Sequence, residues 1–258
     1  MRNMRVDLNS DVGESYGAFQ VGEDALVFDA ITSANIACGY HAGDHNVMAK
    51  TVKLAKEKGV AVGAHPGYLD LQGFGRRFIQ MSPEDIYHLV LYQLGALSGF
   101  CRIAGVKMKH VKPHGALYNV AAKERTVAAA IAEAVADFDR ELLLFGLSGS
   151  ELVKAGESVG LQVAHEVFAD RTYQQDGTLT PRTEANAIIS DREQALQQVL
   201  MMVKEGKVAA TDGTLVPIKA DTICVHGDEP QALAFVNMLK EKLQQEGIEI
   251  KAAGGRNG

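Results

Sequence analysis

His41-Ala-Gly-Asp-His45 sets two imidazoles in an H-x3-H spacing, which on a helix would turn both rings to one face, as a metal ion requires. Gly43-Asp44 favours a loop there, so the chain is read as holding no metal of its own; Asp11, His41 and His45 are the only set considered for one. Gly146-Leu-Ser-Gly-Ser150 imitates a nucleophile elbow, with Ser where the closing Gly belongs. No GxxxxGK[ST] occurs, so the chain carries no P-loop for ATP. The denser signal is a recurrence of acids, bases and cations after short apolar runs: Asn9, Asp11 and Glu14; Asn35, His41 and Asp44; His65 and Asp70; Lys112 and His114; Glu166, Asp170 and Arg171; His226 and Asp228. Such groups can move protons and steady a developing oxyanion. Each also has a plainer reading. Asn9, Asp11 and Asn35 suit turns, Asp228 suits a helix cap ahead of Glu229-Pro230, and His88 and His165 are assigned to structure.

The elements that must position these residues alternate along the chain. Seven strands are read at 5–8, 33–37, 60–64, 107–111, 141–145, 162–166 and 221–225, separated by helical patterns, which implies parallel strands with helical crossovers. Gly59, Gly105 and Gly160 stop three helices. Ser82-Pro83-Glu84-Asp85 starts one, and Ser190 with Glu193 forms a capping-box pattern before another. Ala232, Val236, Leu239 and Leu243 mark the buried stripe of the last helix. Residues 207–219 read as a hairpin turning at Asp212-Gly213. The whole of 1–258 is therefore expected to form one domain with that hairpin inserted. Six of the seven strands end in reactive side chains, whereas an open sheet concentrates its site at one switch point. An irregular seven-stranded parallel (β/α) barrel follows, with its site at the C-terminal mouth.

Composition agrees. Of 258 residues, 47% are hydrophobic and 22% charged, with a net charge of −6 and no basic run, which argues against a nucleic-acid partner. No apolar stretch is long enough to span a bilayer. Cys38, Cys101 and Cys224 are odd in number and widely spaced, which suits a reducing cytoplasm better than a disulfide framework.

The blocks DLNSDVGE (7–14), ANIACGYHAGD (34–44), GAHPGYLD (63–70), VKPHGALYN (111–119), EVFADRTY (166–173) and CVHGD (224–228) together resemble the LamB/YcsF family, associated with one component of the bacterial ATP-dependent 5-oxoprolinase. The family usually has Pro where this chain has His45. The resemblance implies a barrel of the glycoside hydrolase/deacetylase type and hydrolysis of 5-oxoproline (pyroglutamate) to L-glutamate. It also implies two further subunits, which would handle most of the ATP and Mg. Under that reading Asp11 or His65 is the base, Lys112 and His114 contact the oxyanion or a phosphate, and His226 or Asp170 protonates the leaving amine. Arg171, helped by Arg182, would hold the substrate carboxylate, a match for a guanidinium fork. Asn9, Glu14, Asn35, His41 and Asp228 complete the substrate-binding set. Two rivals stand beside it: a metal-dependent amidohydrolase or deacetylase acting alone, its Asp-His-His set resembling that of polysaccharide deacetylases, and a non-catalytic lactam-binding subunit.

Overall fold

In the computed structural model, which describes residues 4–22, 24–225 and 230–254, the first strand shows how the interior is filled. β1 (Arg5–Val12) alternates Asp7, Asn9 and Asp11 with Leu8, Ser10 and Val12. Successive side chains of a strand face opposite ways. Leu8 and Val12 join the main apolar core, while Asp7, Asn9 and Asp11 reach polar partners from other strands. β1 therefore runs on to Val12, past the expected end at residue 8. Its polar residues belong to the barrel interior and are no turn.

The chain continues through α1 (Asp24–Val27), β2 (Ser33–Ala37), α2 (His45–Lys58), β3 (Ala61–His65), α3 (Pro83–Ala104), β4 (Met108–Val111), α4 (Gly115–Ala121) and α5 (Arg125–Phe138). Then follow β5 (Leu143–Leu147), α6 (Glu151–Ser158), β6 (Gln162–Phe168), α7 (Arg192–Glu205), β7 (Lys207–Ala209), β8 (Leu215–Pro217), β9 (Thr222–Cys224), α8 (Pro230–Gln245) and β10 (Glu249–Ile250). Strands β1, β2, β3, β4, β5, β6 and β9 pair in that order, and β9 returns to β1. Every one of these pairings is parallel. The result is a closed seven-stranded parallel barrel with helices around it. β10 adds to β1 below the ring, through Arg5 and Val6. β7 and β8 form an antiparallel hairpin between α7 and β9.

Helix ends follow local chemistry. Ser82 caps α3 by accepting from the Asp85 amide, and Gly59 and Gly105 close α2 and α3 in the left-handed region. α7 is capped one residue later than the capping-box reading places it. Asp191, not Ser190, accepts from the Gln194 amide, because a carboxylate competes well for the cap and favours the positive end of the helix. Ser150 caps α6 and the Ser148 hydroxyl accepts from the Lys219 amide, so the elbow-like 146–150 segment is spent on structure.

Inside the barrel, His110 stacks on Phe145 with ring centroids 4.3 Å apart. The His110 ring lies across Gly63, where an added Cβ would come within 2.2 Å of it. A larger residue in β3 would expel that ring. Among the described residues, no helix is long and apolar enough to cross a membrane.

Candidate functional site

Because the strands are parallel, their C-terminal ends meet at one mouth, and the register decides who meets whom. Asp11 lies beside Asn35, and Asn35 beside Gly63. The Lys112 ammonium, arriving just beyond β4, lies 3.0 Å from Asp11 Oδ1, 2.8 Å from Glu166 Oε1 and 3.1 Å from both Asn9 Oδ1 and Cys224 Sγ. Asn35 donates to Asn9 Oδ1 and Asp11 Oδ1, both at 2.8 Å, and faces His110 Nε2 through its own oxygen. Asn9 Nδ2 donates to Thr222 Oγ1. Asn9 and Asn35 thus hold the ion pair in place from beneath.

Burial alone would push the Asp11 carboxyl upward, but His65 and Lys112 outweigh it and hold Asp11 well below the usual carboxylate range. Burial would likewise lower Lys112; Asp11, Cys224 and Glu166 together raise it well above an ordinary lysine. The pair is charged at neutral pH. Cys224 is raised by burial and stays a thiol. The side chain of Asp11 is 20% exposed, against 3% for Lys112, 1% for His65 and 0% for Glu166. Anything entering the mouth therefore meets this network at Asp11.

A second group adjoins it. Glu14, His41, His65 and His114 are all buried and offer ligand-type atoms within 4.8 Å of one another. His65 Nε2 lies 3.2 Å from Asp11 Oδ2 and 2.9 Å from His114 Nδ1. Glu14 Oε1 lies 3.3 Å from His41 Nε2 and 3.8 Å from His114 Nδ1. His41 and His114 stack in parallel, centroids 3.7 Å apart. His41 also packs so tightly on Gly67 that a Cβ there would sit 2.7 Å from its Nδ1. Burial lowers His41 far below an ordinary imidazole and takes His114 down to about 3. Both are neutral at physiological pH.

The other predicted residues are placed as follows. Arg171 is buried and donates from Nε to the Ala187 carbonyl and from Nη2 to that of Thr180, bracing the loop after β6. Arg182 is exposed on that loop, and Asp170, half-buried, adjoins Arg171. Asp44 caps α2 and accepts from the Gly17 amide. His45 opens α2 in an exposed position, whereas His41 sits in the loop before it. Asp11, His41 and His45 thus do not converge: Gly43 at φ +76° keeps 41–44 out of the helix that the H-x3-H geometry needs. The assignments to His226 and Asp228 lie outside the described residues. His88 is exposed beside Tyr87, and His165 is half-buried near Ser148.

Several contributors escaped the sequence reading. His110 and Cys224 sit among strand residues without a turn signal. Glu166 is among the residues the sequence singles out, but its partners are not: it receives Lys112 and interacts with Tyr118. Gln93 clamps Gly67 by donating to its carbonyl and accepting from its amide, each at 3.0 Å. Its signal was a polar residue inside the apolar stripe of α3, between Val90 and Leu94.

Comparison with known proteins agrees with this architecture. The A subunit of a 5-oxoprolinase from Halalkalibacterium halodurans is 65% identical over 246 residues, covering 95% of this chain and 96% of that protein. Its counterpart from Bacillus subtilis is 57% identical over 248 residues, covering 96% of each. The crystal structure of a lactam utilization protein from Thermus thermophilus superimposes with a TM-score of 0.91 at 48% identity, covering 96% of this chain and 100% of that one. The LamB/YcsF family model matches residues 6–257, and the chain belongs to the LamB/YcsF family.

Proposed function

We propose that this chain opens the lactam ring of 5-oxoproline to give L-glutamate, as the hydrolytic component of an ATP-dependent enzyme completed by two partner subunits. The observation that carries the reading is Asp11, an ionised carboxylate that is the most accessible member of the network at the barrel mouth and is paired with the buried Lys112. Relatives named as the A subunit of 5-oxoprolinase and a structural neighbour named for lactam utilization support the substrate class.

A five-membered lactam is a stable amide. Phosphorylation of its oxygen by ATP, bound with Mg on the partners, would make the ring carbon electrophilic. Asp11 then takes a proton from the attacking water while water oxygen bonds to that carbon. Lys112, too deep to meet the substrate, keeps Asp11 ionised and offsets charge that builds above it. The ring C–N bond breaks and its electron pair goes to nitrogen, which needs a proton from an acid such as Asp170 or His226. The γ-glutamyl phosphate so formed is then hydrolysed by a second water, which displaces inorganic phosphate and leaves L-glutamate. Arg182, exposed beside Arg171, is the freer of the two guanidinium groups to meet the substrate carboxylate.

The test is glutamate release from 5-oxoproline by the chain alone and with both partner subunits, each with and without ATP. Turnover is expected only in the complete mixture. Asp11→Asn is expected to lower kcat there by about 10²–10⁴-fold, the usual reach of a positioned base, with the fold retained by circular dichroism. Turnover by the chain alone without ATP overturns the partner assignment, and an Asn variant near wild-type rate overturns the role of Asp11.

A further inference from the structure

Two carbonyl groups fix where His65 and His114 each carry a ring hydrogen. His65 Nδ1 lies 2.7 Å from the Lys112 carbonyl oxygen, and His114 Nε2 lies 2.8 Å from that of Phe74. A carbonyl only accepts, so both of those nitrogens carry hydrogen. In neutral rings the opposite nitrogens, His65 Nε2 and His114 Nδ1, then bear lone pairs, and these face each other at 2.9 Å. His65 Nε2 also faces Asp11 Oδ2 at 3.2 Å. A single added proton on His65 could point at one of these two acceptors only. Glu14 Oε1 brings a further acceptor to within 3.8 Å of His114 Nδ1 and 3.3 Å of His41 Nε2.

From this convergence we infer that Glu14, His41, His65 and His114 bind one divalent transition-metal ion of the zinc type. The donor set is three imidazoles and a carboxylate, the chemistry that zinc and its neighbours select over magnesium or calcium. Ligands about 2.0–2.1 Å from such an ion stand roughly 3–4 Å from one another, close to the separations given above. Small side-chain movements suffice to seat it. The carbonyl partners of His65 and His114 are the outer contacts that orient metal-bound imidazoles and fix their tautomers. The rings are held from behind as well: His41 rests on Gly67, which Gln93 clamps from α3. A metal here would polarise groups entering at Asp11. Its binding does not depend on the substrate being a lactam, so the two readings fail separately.

The experiment uses the untagged full chain, stripped with a chelator and dialysed, then titrated with zinc or cobalt(II). Elemental analysis and calorimetry are expected to give one equivalent per chain. Cobalt is expected to show a visible absorption band of a nitrogen- and oxygen-ligated ion. Glu14→Gln, His65→Gln and His114→Gln are each expected to weaken binding at least tenfold, while His45→Gln and His88→Gln leave it unchanged. Should a ligand variant misfold, nitrogen NMR of the wild-type histidines decides without it: zinc should shift His65 Nε2 and His114 Nδ1 and leave their partner nitrogens protonated. No saturable uptake by the folded chain overturns the site, as does a proton found shared between the two rings in the presence of excess zinc. Uptake that survives in the ligand variants and is lost with His45→Gln overturns it equally.

Discussion

Lys112 shows what a single buried charge commits a protein to. Its ammonium has three hydrogens and four acceptors within 3.1 Å, and it is almost wholly removed from water. Replacing one partner of a buried pair leaves the other charge without compensation, at a cost of about 3–5 kcal/mol. Lys112→Met is therefore expected to lower the unfolding free energy by that amount in urea titrations, because the carboxylates of Asp11 and Glu166 remain. Adding Asp11→Asn and Glu166→Gln should return much of the loss. A loss below about 1 kcal/mol in the single variant would show that the carboxylates find other compensation. At this scale the sequence told which residue types gather but not which are exposed. Asp11 and Lys112 look equally reactive in the sequence, and only the folded barrel, which leaves the Asp11 side chain 20% exposed and that of Lys112 3%, separates them. Arg171, a guanidinium expected to meet substrate, also donates to the carbonyls of Thr180 and Ala187, a contact that its sequence neighbours do not announce.

At the scale of elements, alternation and caps were readable wherever burial was apolar. The residues read for β2 are those observed, and the last helix buries Val236, Leu239 and Leu243 as its spacing requires. Polar burial obscured the rest. The sequence ends β1 at residue 8, because Asn9 and Asp11 look like turn residues unless the barrel interior is known to be polar. α1, α4 and β10 are too short to carry a period. α2 bears the clearest test of a cap with a second duty. Asp44 Oδ1 accepts from the Asn46 and Val47 amides, and Oδ2 accepts from Gly17 in the loop after β1. Losing a carboxylate cap costs about 1 kcal/mol. Asp44→Ala should show that loss in chemical denaturation, together with faster hydrogen exchange of the Gly17 amide. Unchanged exchange there would separate the cap from the loop.

Barrel closure is a property of the whole molecule, and Asp7 sits on its seam. Its carboxylate accepts from Thr32 and Ser33 on the β2 side and from Thr222 on β9. The strands that meet there are the first and last of the ring, more than two hundred residues apart, which is why no local pattern announced the contact. Burial, partly offset by those hydroxyls, raises the Asp7 carboxyl above its ordinary 3.8. The folded protein therefore keeps this proton at a pH where the unfolded chain releases it. Stability from Asp7 is complete below the unfolded value and is lost as pH rises through the raised folded value, with a slope of at most about 1.4 kcal/mol per pH unit. Asp11 acts with the opposite sign and in a different window: its contribution is present above 3.8 and disappears as pH falls towards its depressed folded value. Above pH 4, then, the Asp7 effect is separable. Unfolding free energies of Asp7→Asn and the parent chain, measured in urea at intervals from pH 4 to pH 7, should diverge, the parent losing stability relative to the variant as pH rises. Parallel curves would mean that the seam carboxylate is ionised throughout, its charge carried by the three hydroxyls alone.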